Sequence, residues 1–243
     1  MITRNPSLTD QVKAHLKERI LDNGFEEGRI PPEADLAAEL GVSRTTIRDA
    51  LSRLEHEGTI SRRQGSGTFV NEPVLQIKSR LEEIWSYEHV LADHGYTPSV
   101  QVQRVEIGPA NEETAAALGI EGDAEVLLIE KLFLEDDRPV VLTVNCIPMD
   151  IVTDAEYEQD SATPVYEFLE EHCGRTLAYY LSEIVPVQLD DEQGDRLDVA
   201  PGTLAVSFDE VGFDQDNEPV VRATSYFRDD LLRFRLIRRR TGA

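Results

Sequence analysis

Positive charge is scarce in this 243-residue chain. Lysine occurs four times, so arginine supplies the other 20 of 24 basic residues, against 47 acidic ones, and the formal net charge is −23. That balance excludes a protein that coats nucleic acid or anionic membrane by bulk charge. No apolar run approaches the ~20 residues needed to span a bilayer, and Met1–Asp10 lacks the apolar stretch of a signal peptide. A cytoplasmic location without a membrane partner is the expectation. Cysteine occurs twice, at Cys146 and Cys173, too few for a disulfide framework and outside any metal-ligand spacing. His89 and His94 stand five apart, the wrong spacing for two ligands on one helix face. No P-loop, dinucleotide fingerprint or nucleophile elbow occurs, so no cofactor, metal or catalytic residue is assigned.

The acidic surplus suits a very salty cytosol, where dense carboxylates keep a protein hydrated; an ordinary acidic cytosolic protein is the alternative. The surplus is uneven. Residues 1–72 hold ten basic and twelve acidic side chains, a net −2, which leaves −21 for the remainder. Such asymmetry indicates two modules, 1–72 and 73–243, with Pro73 at the joint.

In the first module Val12, Leu16, Ile20 and Leu21 recur at helical spacing, which predicts a helix over Leu8–Asp22. Pro31-Pro32 opens a second helix, ended by Gly41. Ser43 caps a third over Ser43–Glu57, whose buried face is Ile47, Ala50, Leu51 and Leu54. Thr45 and Arg48 then point outward, and Arg44 sits on the exposed first turn. Two short helices joined through one glycine have the shape of a helix-turn-helix, whose second helix offers its N-terminal side chains to a major groove. Ile60–Val70 reads as a hairpin with Arg62 and Arg63 on the incoming strand and Gly65-Ser66-Gly67 at the tip, a wing able to approach DNA closely.

These residues carry a resemblance. The stretch ADLAAELGVSRTTIRDALSRLEHEGTISRRQGSGTFV closely resembles the DNA-binding domain of GntR-type transcriptional regulators, across about Leu8–Val70. The resemblance implies contacts to double-stranded operator DNA from Arg44, Thr45, Thr46, Arg48, Gly65 and Gly67, with Ser43, Arg63, Gln64 and Ser66 as further candidates. One feature departs from the family. Where it has Ser-Glu-Arg at the start of the second helix, this chain has Pro32-Glu33-Ala34, so one arginine contact is missing.

The second module reads as an α+β domain with an internal duplication. A helix is predicted over Leu75–Asp93, a strand through Val100–Ile107, a short helix at Asn111–Leu118, and strands at Glu125–Leu134 and Pro139–Ile147. The order recurs in a helix at Pro164–His172, a strand at Thr176–Val187, a short helix at Asp190–Leu197, and strands at Thr203–Phe213 and Pro219–Phe227. At an offset of 80, Glu130 matches Glu210, Phe133 matches Phe213, and Pro139-Val140-Val141 matches Pro219-Val220-Val221. Two helix-plus-hairpin units merged in one largely antiparallel sheet, with helices on one face, are the expectation. A final strand is expected over Arg233–Arg240.

This region resembles the UTRA effector-binding domain of the HutC branch of these regulators, which is similar in fold to chorismate lyase. The segments HGYTPS, EKLFLEDDRPVVL, VYEFLEE and YFRDDLLRF carry the likeness over about Leu81–Leu236. The lyase-like fold keeps enzyme activity as an alternative, and a DNA-binding protein without a ligand is a second. Effector-binding candidates are Ser86, Lys131, Thr143, Glu183, Arg222, Ser225, Tyr226 and Arg228. In sugar-phosphate-binding relatives two arginines of the first hairpin hold the anion; Lys131 and Phe133 stand there, and Phe133 argues against a sugar phosphate. Lys131, Arg222 and Arg228 suit a carboxylate or small anion. The resemblance implies a metabolite-responsive repressor, a homodimer joined through the second module on a near-palindromic operator.

Overall fold

A computed structural model of the chain describes residues 7–22, 24–63, 65–72, 81, 84, 86–93, 95–153, 157–228 and 234. The described residues fall into two compact units, one within 1–80 and one within 81–234.

The first unit is a three-helix cluster with a small sheet. Helix α1 (Leu8–Leu21) buries Val12, Leu16 and Ile20, spaced four apart along one stripe. Helix α2 (Glu33–Leu40) buries Leu36, and Gly41 closes it at φ 65°, the left-handed conformation that glycine adopts without steric cost. Helix α3 (Arg44–His56) buries Ile47, Ala50, Leu51 and Leu54. These faces share one core with Phe25, Ile30 and Ile60. Strands β2 (Ile60–Arg63) and β3 (Gly67–Val70) form the expected hairpin. A two-residue strand, β1 (Arg29–Ile30), pairs with the outer side of β3 and was not foreseen; between Gly28 and Pro31 it is too short to show a period.

The second unit repeats one motif twice. Its first half runs α4 (Tyr87–Asp93), β4 (Pro98–Pro109), α5 (Glu112–Leu118), β5 (Glu125–Glu135), β6 (Arg138–Pro148). The second half runs α6 (Val165–Cys173), β7 (Leu177–Gln188), α7 (Asp191–Leu197), β8 (Leu204–Asp214), β9 (Pro219–Phe227). All neighbours in the six-stranded sheet are antiparallel, in the order β4-β5-β6-β9-β8-β7. The halves meet at β6 and β9, where Val144 faces Thr224 across a local two-fold.

The offset between the halves is 79 residues up to the hairpin turns and 80 after them. Asn111 and Asp190 cap equivalent helices, Gly119 and Asp198 end them in the left-handed region, and Pro98 and Leu177 open equivalent strands. Asp136-Asp137 turns the first hairpin with both residues at positive φ. The second turn holds one residue more, Gln215-Asp216-Asn217, closed by the Asp214 amide on the Glu218 carbonyl at 3.0 Å. Pro139 and Pro219 are therefore true counterparts, whereas Glu130 and Glu210 lie on opposite faces of the sheet.

Helices cover both faces, not one. Val90 and Leu91 of α4 pack with Phe133, Val141, Phe208 and Phe227, and Phe168 and Leu169 of α6 pack with Leu127, Ile129 and Ile147. On the opposite face α5 packs on Val126 and α7 packs on Leu132, Leu134 and Leu142. Strand β5 is consequently buried on both sides, which explains its near-continuous apolar run.

Helix α4 starts at Tyr87, later than expected. Ser86 is the reason: its Oγ accepts from the His89 amide at 3.2 Å and its carbonyl accepts from the Val90 amide at 3.1 Å, so it caps the helix. Most of the earlier segment of the Leu75–Asp93 expectation lies outside the described residues. So does the Arg233–Arg240 strand apart from Phe234, whose ring centroid sits 4.7 Å from those of Phe208 and Phe227.

Candidate nucleic-acid interface and ligand site

Helix α3 presents Arg44, Thr45 and Arg48 to solvent because its other face fills the core. Ser43 is the N-cap. Its Oγ accepts from the Thr46 amide at 3.1 Å and lies 2.8 Å from the Thr46 hydroxyl, so both side chains hold the helix start in place. Ser43→Ala should cost about 1 kcal/mol of stability in a urea titration, the usual worth of such a cap.

Among the described residues Arg44 has no ion-pair partner. Arg48 has one that sequence reasoning missed: Glu33 accepts from its Nη2 at 3.0 Å and from its Nε at 3.2 Å. The hydrogen bonds to Glu33, and then its charge, raise the Arg48 pKa. The Ser-Glu-Arg departure thus keeps its Glu as a holder of the recognition helix. Arg62 and Arg63 diverge. Arg62 turns back to Glu55 at 3.4 Å and to the Arg48 carbonyl, also at 3.4 Å, while Arg63 stays exposed with its guanidinium 5.0 Å over the Phe69 ring. Gly65 at φ 76° and Gly67 at φ 116° shape the wing tip around the exposed Ser66. Gln64 lies outside the described residues.

The eight effector candidates divide between the two faces of the sheet. Lys131, Thr143 and Ser225 stand side by side on β5, β6 and β9, paired Lys131 with Thr143 and Thr143 with Ser225. All three are buried. Ser86 belongs with them at the head of α4: the next residue, Tyr87, donates its hydroxyl to Ser225 Oγ at 2.7 Å, and Tyr166 hydrogen-bonds Ser86 from α6. Lys131 Nζ donates to the Thr163 carbonyl. Burial pulls its pKa down to about 8, partly offset by the nearby Glu88 carboxylate. Among the described residues the buried Thr143 Oγ1 has no hydrogen-bond partner. A buried ammonium and an unsatisfied hydroxyl in one row are the chemistry of an anion site. In the neighbouring row Glu210, the structural counterpart of Lys131, accepts from Ser182 and has its pKa raised by burial.

The other four lie elsewhere. Glu183 is exposed on the edge strand β7. Arg222 and Tyr226 point to the α5–α7 face. Arg228, just past β9, donates to the Pro139 and Leu197 carbonyls at 3.4 Å each. Tyr87, Glu88, Thr163 and Tyr166 were missed; Thr163-Pro164 at a helix start was the available signal. Among the described residues Asp160, Glu171 and His172 bring ligand atoms within 4.8 Å of one another, with His172 Nε2 3.1 Å from Asp160 Oδ2.

A winged helix-turn-helix with an arginine-bearing recognition helix, followed by a duplicated sheet with a buried polar row, defines a DNA-binding sensor protein. Residues 8–70 match the bacterial regulatory proteins of the gntR family, and residues 93–233 match the UTRA domain. The chain belongs to the GntR family of transcriptional regulators with a UTRA domain. Its members bind operator DNA, and the UTRA domain binds small-molecule effectors. An HTH-type transcriptional regulator of Mycobacterium tuberculosis is 29% identical, over 99% of this chain and 87% of its own. The histidine utilization repressor of Klebsiella aerogenes is 31% identical over 66% of each chain. The crystal structure of the regulator YydK from Bacillus subtilis superposes with a TM-score of 0.75 at 17% identity, over 96% of this chain and 99% of that one, a likeness of fold. Among the described residues no helix is long and apolar enough to cross a membrane.

Proposed function

We propose that the chain is a cytoplasmic, metabolite-responsive repressor that acts by binding and not by catalysis. Arg44, Thr45, Arg48 and Arg63, with the Gly65-Ser66-Gly67 wing, contact a near-palindromic operator, while Ser43 and Thr46 hold the recognition helix. A small anion, a carboxylate by preference, binds over Lys131, Thr143 and Ser225 and alters the balance between DNA-binding and released arrangements by its differential affinity. The observation that carries the reading is the buried Lys131 beside the unsatisfied Thr143 hydroxyl. A thermal-shift screen of anionic metabolites, repeated with Lys131→Met, tests it. The anion that stabilises the native protein should lose its effect in the variant, and an unchanged shift would refute the assignment. Selection from random duplexes tests the DNA half; a protein with no site preference is no repressor. Turnover of chorismate by the purified chain would overturn the non-catalytic reading.

We also propose a homodimer formed along β7. This edge strand exposes Tyr179 (43%), Leu181 (65%) and Ile184 (52%), and among the described residues no strand lies beside its outer backbone groups. Leu181→Asp with Ile184→Asp should yield a monomer in light scattering at micromolar concentration and weaken operator binding at least tenfold. A dimer of unchanged size would exclude this edge. The −23 charge further suits a multimolar-salt cytosol; urea titrations should then show stability rising with KCl, and a fall would count against it.

A further inference from the structure

The face of the sheet opposite Lys131 holds a cavity of about 370 Å³ between α5 and the sheet, centred near the local two-fold. The geometry points to a second ligand site there, separate from the effector row, that takes a small monocarboxylate with an apolar body. The size falls within the range of about 300–1,000 Å³ usual for small-molecule sites. Leu128, Val144, Val185 and Val187 form its apolar wall.

Arg222 is the polar anchor. Its side chain is 12% exposed, and it is held by Thr114 Oγ1 at 3.0 Å, Asp209 at 3.3 Å and Glu113 at 2.7 Å. Two of those partners sit in fixed positions: Thr114 is buried in α5, and Asp209 lies on β8. The third is different. Glu113 is 71% exposed, so its carboxylate can swing into water at little cost. A ligand carboxylate entering the cavity replaces it one for one. Arg222 never stands uncompensated, and the charge around it does not change, which avoids the cost of breaking a buried pair. Glu113 thus acts as an internal competitor for the site.

Cys146 lines the cavity, while Cys173 is buried on the opposite face in the α6 core, so alkylation of Cys146 reports occupancy with a built-in control. The experiment uses the full chain, iodoacetamide, and benzoate as probe with benzyl alcohol as its neutral analogue. Benzoate should slow modification of Cys146, and benzyl alcohol at the same concentrations should not. In Glu113→Gln half-protection should need several-fold less benzoate, because the competing carboxylate is gone. In Lys131→Met protection should be unchanged, which separates this site from the effector row. Absence of protection, equal protection by the alcohol, no gain in Glu113→Gln, or loss in Lys131→Met would each overturn the proposal.

Discussion

Arg44→Ala should lower affinity for the selected operator by about 1–3 kcal/mol per half-site, roughly fivefold to 150-fold, while leaving affinity for scrambled duplex nearly unchanged. The side chain sits on the exposed first turn of α3 with no ion-pair partner among the described residues, so nothing within them must be broken before it meets a base edge. The Ser43 cap fixes that turn, which limits the entropy lost on docking. Glu33→Gln provides the contrast. It frees Arg48 from its carboxylate and should strengthen binding to both duplexes and steepen the salt dependence by about one phosphate equivalent, a slope change near −0.9. Fluorescence anisotropy on operator and scrambled DNA across a KCl series reads both. An equal loss on the two duplexes for Arg44→Ala would make it a backbone contact and remove it from sequence readout.

The two units differed in how much could be read from sequence, and the reason is burial. Helices α1 and α3 each have one wet face, so Val12-Leu16-Ile20 and Ile47-Ala50-Leu51-Leu54 stand out against charged neighbours and their boundaries came within a residue or two. Strands β5 and β6 are covered on both sides. A strand without a wet face has no apolar–polar alternation, so parity cannot be assigned along it, and candidates from opposite faces such as Lys131 and Arg222 were placed in one pocket. The assumption of helices on one face followed from the same loss of contrast. Chemical types remained legible: a lysine inside an apolar strand was conspicuous, and it proved buried. Partners across the fold did not. Nothing near Arg48 in sequence indicates Glu33, fifteen residues earlier, and Tyr87 reaches Ser225 across 138 residues.

The duplication shows how one inserted residue separates sequence likeness from structural equivalence. Matching letters at an offset of 80 reflect the hairpin's second strand correctly. Before the longer second turn the structural offset is 79, so Lys131 corresponds to Glu210 and not to Val211. The two halves have therefore placed opposite charges at equivalent positions on the same face, Lys131 in register with Thr143 and Ser225, and Glu210 in register with Ala223 and Asn145 two residues along. The row runs from Lys131 through Thr143 and Ser225 to Phe208, so its charge sits at the Lys131 end, which suits an anion, and the acid stands in the next row.

Lys131→Met should abolish the inducer response while operator binding without inducer stays within twofold. The substitution removes the positive charge and keeps an unbranched apolar side chain of similar length, so the packing between β5 and α6 survives. Its effect on stability has a defined sign. Burial lowers the folded-state pKa to about 8 from the ordinary 10.5, so the charged form is disfavoured by folding. Below pH 8 both folded and unfolded chains carry the proton, and the penalty is fully present. Between about pH 8 and 10.5 the unfolded chain holds more protons, so stability rises with pH through that window. Lys131→Met removes the penalty and should make the protein more stable at pH 7, with the rise above pH 8 gone in urea titrations. Inducer affinity runs the opposite way in the wild type: the anion needs the ammonium, so binding should weaken tenfold per pH unit once the pH passes 8. A wild-type affinity flat from pH 7 to 9.5, with the pH-dependent stability also absent, would remove Lys131 from the site and shift the search for the inducer to other residues of the fold.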